Sequence, residues 1–403
     1  MGTIYERLDV STIINAAGWL TRLGGSLMPP EVVAAMEEAG HAYVDMSELQ
    51  ARAGAVIARL TGAEAGLVTA GASAALTLAA AACLTRLDVR RMDAMPDLPG
   101  PPDEIVMLRA QRNWYDRAFR VAGARIVEVG LGDAAVGSGV RGVEPWELEG
   151  AITERTAAVA YVAGRQEPLS LERVVQVAHP RGVAVILDAA AQLPPASNLG
   201  RFVGMGVDLV AFSGGKAIRG PQGTGILCGR RDLIAAAALQ MLDMDGLPET
   251  WAPAQSREHR IGFPHHGLGR GFKVSKEEIV GLVVALERYA ALDQEAERAT
   301  WTAKLEVILK AVRDLPHVRG CLRTAHETGR FPLLEIRLDE GPLGRTALQV
   351  VRALWTTQPR VAVGERLAPE GGLVIAAQAL RDGQEHLVAS RLRDVLAPSQ
   401  YAA

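Results

Sequence analysis

The sequence predicts an α/β protein with a mostly parallel, doubly wound sheet and a smaller C-terminal α/β domain. Three observations carry that expectation. Six short apolar runs, GLVT (66–69), EIVML (104–108), RIVEV (125–129), AAVAYV (157–162), VAVILD (183–188) and VDLVAFS (207–213), alternate with stretches of helical periodicity. Strands this apolar are buried on both faces, as parallel strands covered by helices are. A chain of 403 residues, 49% hydrophobic and 22% charged, can build a large core and a second domain. Ala, Gly and Val are abundant and aromatics are only 4%, which suits close packing of helices on a sheet.

Residues 1–30 read as an extended N-terminal arm: Ile13 and Ile14 are followed by Gly18, Gly24, Gly25, Pro29 and Pro30, which break any helix. From 31 to 60 the apolar positions recur at helical spacing, with Gly40 and Gly54 as weak points. The strand–helix alternation then makes a large domain over 31–266. The patch Asp88 to Pro102, with four prolines, reads as a surface excursion. A region beginning near Gly267 opens with a long helix from Ser275 to Leu315, started by a Ser275/Glu278 capping box and stopped by Pro316. Strand-like LLEIRL (333–338), RVAV (360–363) and GLVIAA (372–377), with helices at 343–355 and 383–396, complete a βαβ-like small domain within 267–403.

Net charge is -3 and no dense Lys/Arg run occurs, so a nucleic-acid or anionic-membrane surface is not expected and a small-molecule partner is. The three cysteines, Cys83, Cys228 and Cys321, are odd in number and far apart. That spacing fits neither a disulfide framework nor a zinc site. An acidic, weakly apolar start and the lack of a run of about 20 apolar residues point to a cytoplasmic protein.

Chemistry concentrates in three places. Asp188 closes a buried parallel strand, where ligands of open α/β sheets bind, and a carboxylate there would keep a pyridine nitrogen protonated. Lys216 lies 28 positions later in FSGGKAIRGPQGTGIL (212–227), among small residues that let its amine approach an aldehyde carbon. The 18 residues between Asp188 and Val207 suffice for a right-handed crossover that brings both to one sheet edge. In TAGASAALTLAAA (69–81) a strand breaks at Gly71 and a helix starts, so the amides of Ala72, Ser73 and Ala74 form an anion cup. Cup, ring acid and imine lysine are together the parts of pyridoxal phosphate chemistry. A P-loop is excluded, since Val210 and Ala217 stand where it needs Gly and Ser or Thr. The glycines of 130–139 are wrongly spaced for a dinucleotide loop and read as a turn.

The segments IINAAGWLTRLGGS, LTGAEAGLVTAGASAAL, RNWYDRAFRVAGARIVEVG, VILDAAAQLPP, FSGGKAIRGPQGTGIL and GFKVSKEEIVGLVVALE run in order over most of residues 13–288. In them the chain resembles the pyridoxal-phosphate enzymes of the aspartate-aminotransferase fold, type I, in the group of selenocysteine synthase and D-glucosaminate-6-phosphate ammonia-lyase. The resemblance implies that Lys216 is the Schiff-base lysine, that Asp188 faces the pyridine nitrogen, that Ala72, Ser73 and Ser213 hold the phosphate, and that Gln192 lies near the ring. Gln111 takes the cofactor-side position at which such relatives carry a His, with Trp114 or Arg112 as alternatives for stacking. GRGFKVSKE (269–277) replaces the relatives' GRPMKVGKE. The N-terminal tRNA-binding region of selenocysteine synthase has no counterpart before the core motif, so tRNA is not expected.

A substrate carboxylate needs a guanidinium, for which Arg22, Arg165, Arg270 and Arg366 are candidates. His265 and His266, with His259 nearby, lack a carboxylate at ligand spacing and read as a substrate-side loop rather than a metal site. The expected enzyme is a lyase acting by α,β-elimination on an amino acid. The alternatives are a racemase or epimerase using His265, His266 or Tyr115 as its second acid or base, a β-hydroxy amino acid aldolase, and an inert cofactor-binding protein. Assembly into a homo-oligomer is expected from the N-terminal arm and the 267–273 loop.

Overall fold

The computed structural model describes residues 3–131, 142–164, 167–242 and 262–397. The chain forms two compact units: Met28–Ala291, and a smaller one joining Met1–Leu27 to Leu292–Ala403. Numbered along the chain, β1 (Ile13–Ala16) belongs to the smaller unit. The larger unit holds β2 (Ala65–Thr69), β3 (Glu104–Leu108), β4 (Arg125–Val129), β5 (Thr156–Val162), β6 (Ala184–Asp188), β7 (Leu209–Ser213) and β8 (Gly225–Gly229). These make one sheet in the order β2-β8-β7-β6-β5-β3-β4.

Pairing from β7 across to β4 is parallel, while β8 runs antiparallel to both β7 and β2. The six strand runs of the sequence are all present, and the sheet is mostly parallel. β8 was unexpected: GILCG lies among glycines and reads as the tail of the lysine loop. The helix Gly71–Thr85 is buried almost all round from Ala74 to Thr85. Its alanines bring the helix close to the sheet, with Leu76, Leu78 and Leu84 filling the core.

At the β2 edge the helix Met46–Thr61 comes down on bare backbone. A Cβ at Gly54 would stand 2.3 Å from the Gly66 carbonyl oxygen, and one at Gly66 2.5 Å from Ile57 Cγ2. The Gln50 amide completes the covering as a false strand residue: Nε2 donates to Val68 O at 3.0 Å and Oε1 accepts from Val68 N at 3.2 Å. An open edge is thereby closed to pairing with another chain.

Two expected helices are each broken by an aspartate. The 31–60 stretch is Pro30–Gly40 and Met46–Thr61, with Asp45 accepting from Glu48 N at 2.9 Å. The 275–315 stretch is Lys276–Ala291 and Gln294–Val312, with Asp293 accepting from the amides of Glu295 and Ala296. The Ser275/Glu278 box is present, Glu278 N donating to Ser275 Oγ at 3.2 Å. The 88–102 patch is tied down more than a surface excursion would be: Met92 is buried, and the Arg91 guanidinium donates to the carbonyls of Leu84, Gly100, Pro101 and Pro102.

In the smaller unit the extended arm becomes β1, paired in parallel with β11 (Arg360–Val363) from Ile13↔Arg360 to Ala16↔Val363. A separate antiparallel sheet has the order β12-β10-β9, from β9 (Val318–Arg323), β10 (Leu333–Leu338) and β12 (Gly372–Ile375). The βαβ-like reading of this region therefore gives way to an antiparallel meander with a parallel pair beside it. Trp301, Leu305, Ile336, Leu373 and Leu392 lie in its core together with Ile14 and Ala16. Among the described residues no helix is long and apolar enough to cross a membrane.

Two outcomes check this packing. Gly66→Ala is expected to cost about 2 kcal/mol by overpacking against Ile57, and Gly54→Ala more, because backbone cannot swing aside as a side chain can; urea midpoints measure both. Burial pushes the Cys83 and Cys228 thiols up to about 12, whereas Cys321 is exposed. A thiol reagent at neutral pH should therefore label one cysteine of the native protein quickly and all three only in denaturant.

Candidate active site

The C-terminal ends of the parallel strands share one edge of the large sheet, and β8, running the other way, brings its first residue there. Gly225 is in register with Ser213 of β7 on one side and Thr69 of β2 on the other. A Cβ at Gly225 would lie 2.4 Å from Gly71 C and 2.6 Å from Ala72 N. This contact seats the first turn of the helix Gly71–Thr85 over the sheet edge. Gly71 has φ +85°, a conformation L side chains rarely adopt. Ala70 at the N-cap offers no capping side chain, and Ser73 is exposed. The first-turn amides and the positive end of the helix dipole thus make an anion site, with Ser213 two strand spacings, about 10 Å, from Thr69.

Lys216 follows Ser213 in a loop closed on itself. Gly214 N donates to Thr224 O at 2.9 Å, Gly220 N to Gly214 O at 2.9 Å and Arg219 N to Lys216 O at 3.0 Å. Side chains at 214 and 215 would strike Thr224 Oγ1 at 2.1 Å and Gln222 Cα at 2.5 Å, which is why two glycines precede the lysine. Thr224 is buried, and its Oγ1 donates to Pro221 O at 2.7 Å. The half-buried Lys216 is therefore carried on a rigid support.

Asp188 ends β6 in register with Ala211 of β7 and Val162 of β5. Its Oδ1 accepts from Ala190 N at 3.0 Å, and its carbonyl accepts from Ala163 N at 3.1 Å. One carboxylate oxygen thus orients the group on the turn that follows. Gln192, on that turn, donates from Nε2 to Ala163 O at 2.8 Å. Gly164 leaves it room, since a Cβ there would be 2.5 Å from Nε2. Gln111 has no exposed surface, and its Oε1 accepts from Val162 N at 3.0 Å. It posts the end of β5 to the loop after β3 from inside the fold, where a ring-side position was expected.

The RNWYD loop is a braced turn. Arg112 pairs with Asp116 at 2.5 Å and with Glu128, and Asn113 accepts from Tyr115 N at 2.7 Å. The Arg112 guanidinium is held by these two carboxylates, while Trp114 is 95% and Tyr115 65% exposed. Arg22 pairs with Glu365 and lies over Trp355, and Arg366 pairs with Glu335 at 3.8 Å; all of these are in the smaller unit. Arg270 is half-buried in the turn Leu268–Phe272 and lines a recess of about 220 Å³ with Lys273, Met46 and Ser47. His265 and His266 are exposed, and His265 N donates to Asp93 Oδ1 at 2.7 Å. The nearby Gly269 packs on the middle of the helix Gly71–Thr85, where a Cβ would stand 2.7 Å from Leu78 Cδ2. Arg165 and His259 fall outside the described residues. No three potential metal ligands cluster among the described residues. Sequence reasoning missed Gly225, Thr224 and Gly164, whose only signal is the glycine density around them.

An amide cradle, a carboxylate and a lysine on one edge of a mostly parallel sheet define a pyridoxal-phosphate-dependent enzyme of fold type I. The chain belongs to the aminotransferase class-V family, which it matches over residues 123–328. It is 31% identical to the D-glucosaminate-6-phosphate ammonia lyase of Salmonella typhimurium over 97% of both chains. A solved structure of D-glucosaminate-6-phosphate ammonia-lyase superposes with a TM-score of 0.81 over 98% of both. A 5'-C-glycyluridine monooxygenase-decarboxylase from Streptomyces sp is 30% identical over 97% of this chain and 92% of that one. An L-seryl-tRNA(Sec) selenium transferase of Nitratidesulfovibrio vulgaris is 29% identical over 57% of this chain and 50% of its own length.

The cofactor of the family, pyridoxal phosphate, fits these residues: the cradle that a Gly225 side chain would fill lies within one loop of Lys216, as a compact phosphate-bearing ring requires. Gly225→Ala should push the first helical turn off the edge. The expected result is at least a tenfold weaker retention of pyridoxal phosphate on dialysis with the far-ultraviolet spectrum unchanged, and wild-type retention would show the cradle idle.

Proposed function

We propose that the protein is a pyridoxal-phosphate-dependent lyase that eliminates across the α and β carbons of a polyhydroxylated amino acid and releases ammonia. The observation that carries the cofactor chemistry at Cα is the placement of Lys216, Asp188 and the Gly225-seated helix start on one sheet edge. Identity over nearly the whole chain to an ammonia lyase supports the choice of reaction.

In this reading the amides of Ala72 and Ser73, with Ser213, hold the phosphate. Asp188, fixed through Ala190 N, keeps a proton on the pyridine nitrogen. Lys216 would hold the cofactor through Nζ and, displaced by the substrate amine, would be free to move protons at Cα. Pyridoxal phosphate, when bound, supplies the electron sink for the bond broken at Cα. Lys216 Nζ, freed and fixed by its closed loop, takes the proton from Cα. The Lys216 ammonium gives that proton to the departing β-hydroxyl, which leaves as water, and the released enamine tautomerises to an imine that one water hydrolyses to ammonia and a 2-keto acid. The Gln111 and Gln192 bonds hold the ends of the neighbouring strands so that Asp188 and the lysine loop keep their separation.

The exposed Trp114 and Tyr115 support a homo-oligomer, since large aromatics held on a braced turn are seldom left to water. Three scattered cysteines, two of them deeply buried, support a cytoplasmic setting. A second reading, decarboxylation, is favoured by the relative named as a monooxygenase-decarboxylase at nearly equal identity.

The test is incubation of the cofactor-loaded protein with D-glucosaminate 6-phosphate and with single-enantiomer amino acids in deuterium oxide. Ammonia and keto acid are expected. Carbon dioxide with oxygen uptake would favour the second reading, and exchange with inversion would favour a racemase. Lys216→Ala should abolish borohydride trapping of the cofactor and lower turnover by about 1,000-fold or more; trapping that persists would sink the assignment of the lysine.

A further inference from the structure

The run KEEIVGLVVALE (276–287) has no part in the site described so far. It begins the helix Lys276–Ala291, which lies in the larger unit with Lys216. Positions 278, 281, 282 and 285 have the i, i+3, i+4, i+7 spacing of one helix face, and all four meet the closed loop that carries Lys216. A Cβ at Gly223 would stand 2.8 Å from Glu278 Oε1, and one at Gly281 2.9 Å from Pro221 Cγ. Leu282 Cδ1 is 2.6 Å from the place of a Cβ at Gly214 and 3.3 Å from that of one at Gly220, with Ala285 Cβ 3.4 Å from the latter. Leu282 is fully buried. Its methyl lies against the two residues whose hydrogen bond, Gly220 N to Gly214 O at 2.9 Å, closes the loop. Glycine at 214 and 220 admits the leucine there.

The helix is itself tied down. Lys276 Nζ donates to Ala39 O at 2.6 Å, Arg288 Nε to Glu31 Oε1 at 2.6 Å, and the Arg59 guanidinium to Glu287 Oε1 at 2.7 Å. Met36 packs on Gly281, where a Cβ would stand 2.7 Å from Met36 Cγ. The lysine loop therefore rests on an anchored helix. It needs that support, because Arg219, three residues after Lys216, has φ +60° in the left-handed region that L side chains rarely adopt. A residue persists in such a conformation where its surroundings over-determine it.

We propose that Leu282 is a positioning residue for Lys216: its methyl braces the Gly214–Gly220 closure and so fixes where the lysine amine can reach. Leu282 acts through the loop backbone. An amine on a flexible four-carbon stem keeps one reach only if its own Cα is held, and a displacement of about 1 Å slows a reaction between positioned groups roughly 100-fold. Truncating the leucine opens a cavity under a strained turn, and the turn relaxes into it. That Lys216 forms the covalent link to the cofactor is the reading above, on which this proposal rests.

The experiment follows covalent capture of added pyridoxal phosphate by the cofactor-free full chain, read as the borohydride-reducible fraction over time, beside the total cofactor kept on dialysis. In Leu282→Ala capture should slow about tenfold or more, with retention within about threefold of native because the phosphate cradle is intact. Leu282→Met, which conserves volume, should bring capture back to within about twofold. Leu148→Ala, at a fully buried leucine of the helix Pro145–Ala151, separates lost stability from lost position. Both alanine variants should melt about 5 °C lower or more, and Leu148→Ala should capture at the native rate. Should Leu282→Ala fail to fold, Leu282→Val carries the same test with a slowing of about threefold. Native-rate capture in the Leu282 variants overturns the proposal alone. So does an equal slowing in Leu148→Ala, which makes the effect one of stability, or a loss of retention in step with capture, which makes the leucine a support of the cradle. If the native protein is not trapped, or Lys216→Ala is trapped as fully, the lysine reading falls and takes this proposal with it.

Discussion

The contact between Gly225 and the Gly71–Ala72 peptide governs the rest of the larger unit. An antiparallel strand inserted between two that point the other way would ordinarily hold a neighbouring helix off by the width of its side chains. At Gly225 there is no side chain, so helix backbone and strand backbone nearly touch. The same device recurs where Gly54 meets Gly66 and where Gly229, with φ +154°, passes the Asp208 carbonyl. A sheet whose corners are turned by glycine can carry an alanine-rich helix flat across its face. That helix then aims its dipole at the edge where β6 and β7 end.

The two edges of the sheet divide the electrostatic work. At the N-terminal ends of the strands Asp208 is buried but bonded on all sides: Oδ2 accepts from Val185 N at 2.8 Å and meets His179 Nε2 at 2.9 Å, and Oδ1 meets Arg230 at 3.2 Å. Glu104 is held likewise by Arg125 and Arg155. These carboxylates are expensive to bury and are satisfied by partners that cannot leave. At the C-terminal edge the groups are half-exposed or wait on short loops, which is the condition for exchanging partners during a reaction. Stability and reactivity are thus separated along the strand direction rather than between layers.

What the sequence revealed follows from which signals are local. A run such as VILD announces both a buried strand and an acid at its end, and FSGGK places a lysine just past the next one, so the chemistry of Asp188 and Lys216 was legible. β8 was not, because its pairing partners Thr69 and Ser213 are far off in sequence and its own residues, GILCG, resemble the loop they follow. The helix breaks at Asp45 and Asp293 left the apolar periodicity almost undisturbed, so spacing alone ran through them. Each aspartate had capped the new start. Gln111 shows a different limit. Its position was readable and its direction was not, since only the fold reveals that its Oε1 accepts from the Val162 amide.

Two relatives of nearly equal identity carry names that describe different bonds broken. The cradle, the carboxylate and the lysine serve any reaction at Cα, so they carry the cofactor chemistry, while near-full-length likeness to an ammonia lyase favours elimination. Selection has to come from groups that touch the rest of the substrate and orient one bond at Cα toward the ring face. Such groups are recognisable by a physical mark: they are polar, ordered, and unpaired in the protein alone. Arg22 and Arg366 each hold a carboxylate, Glu365 and Glu335, and would have to exchange it to meet a substrate.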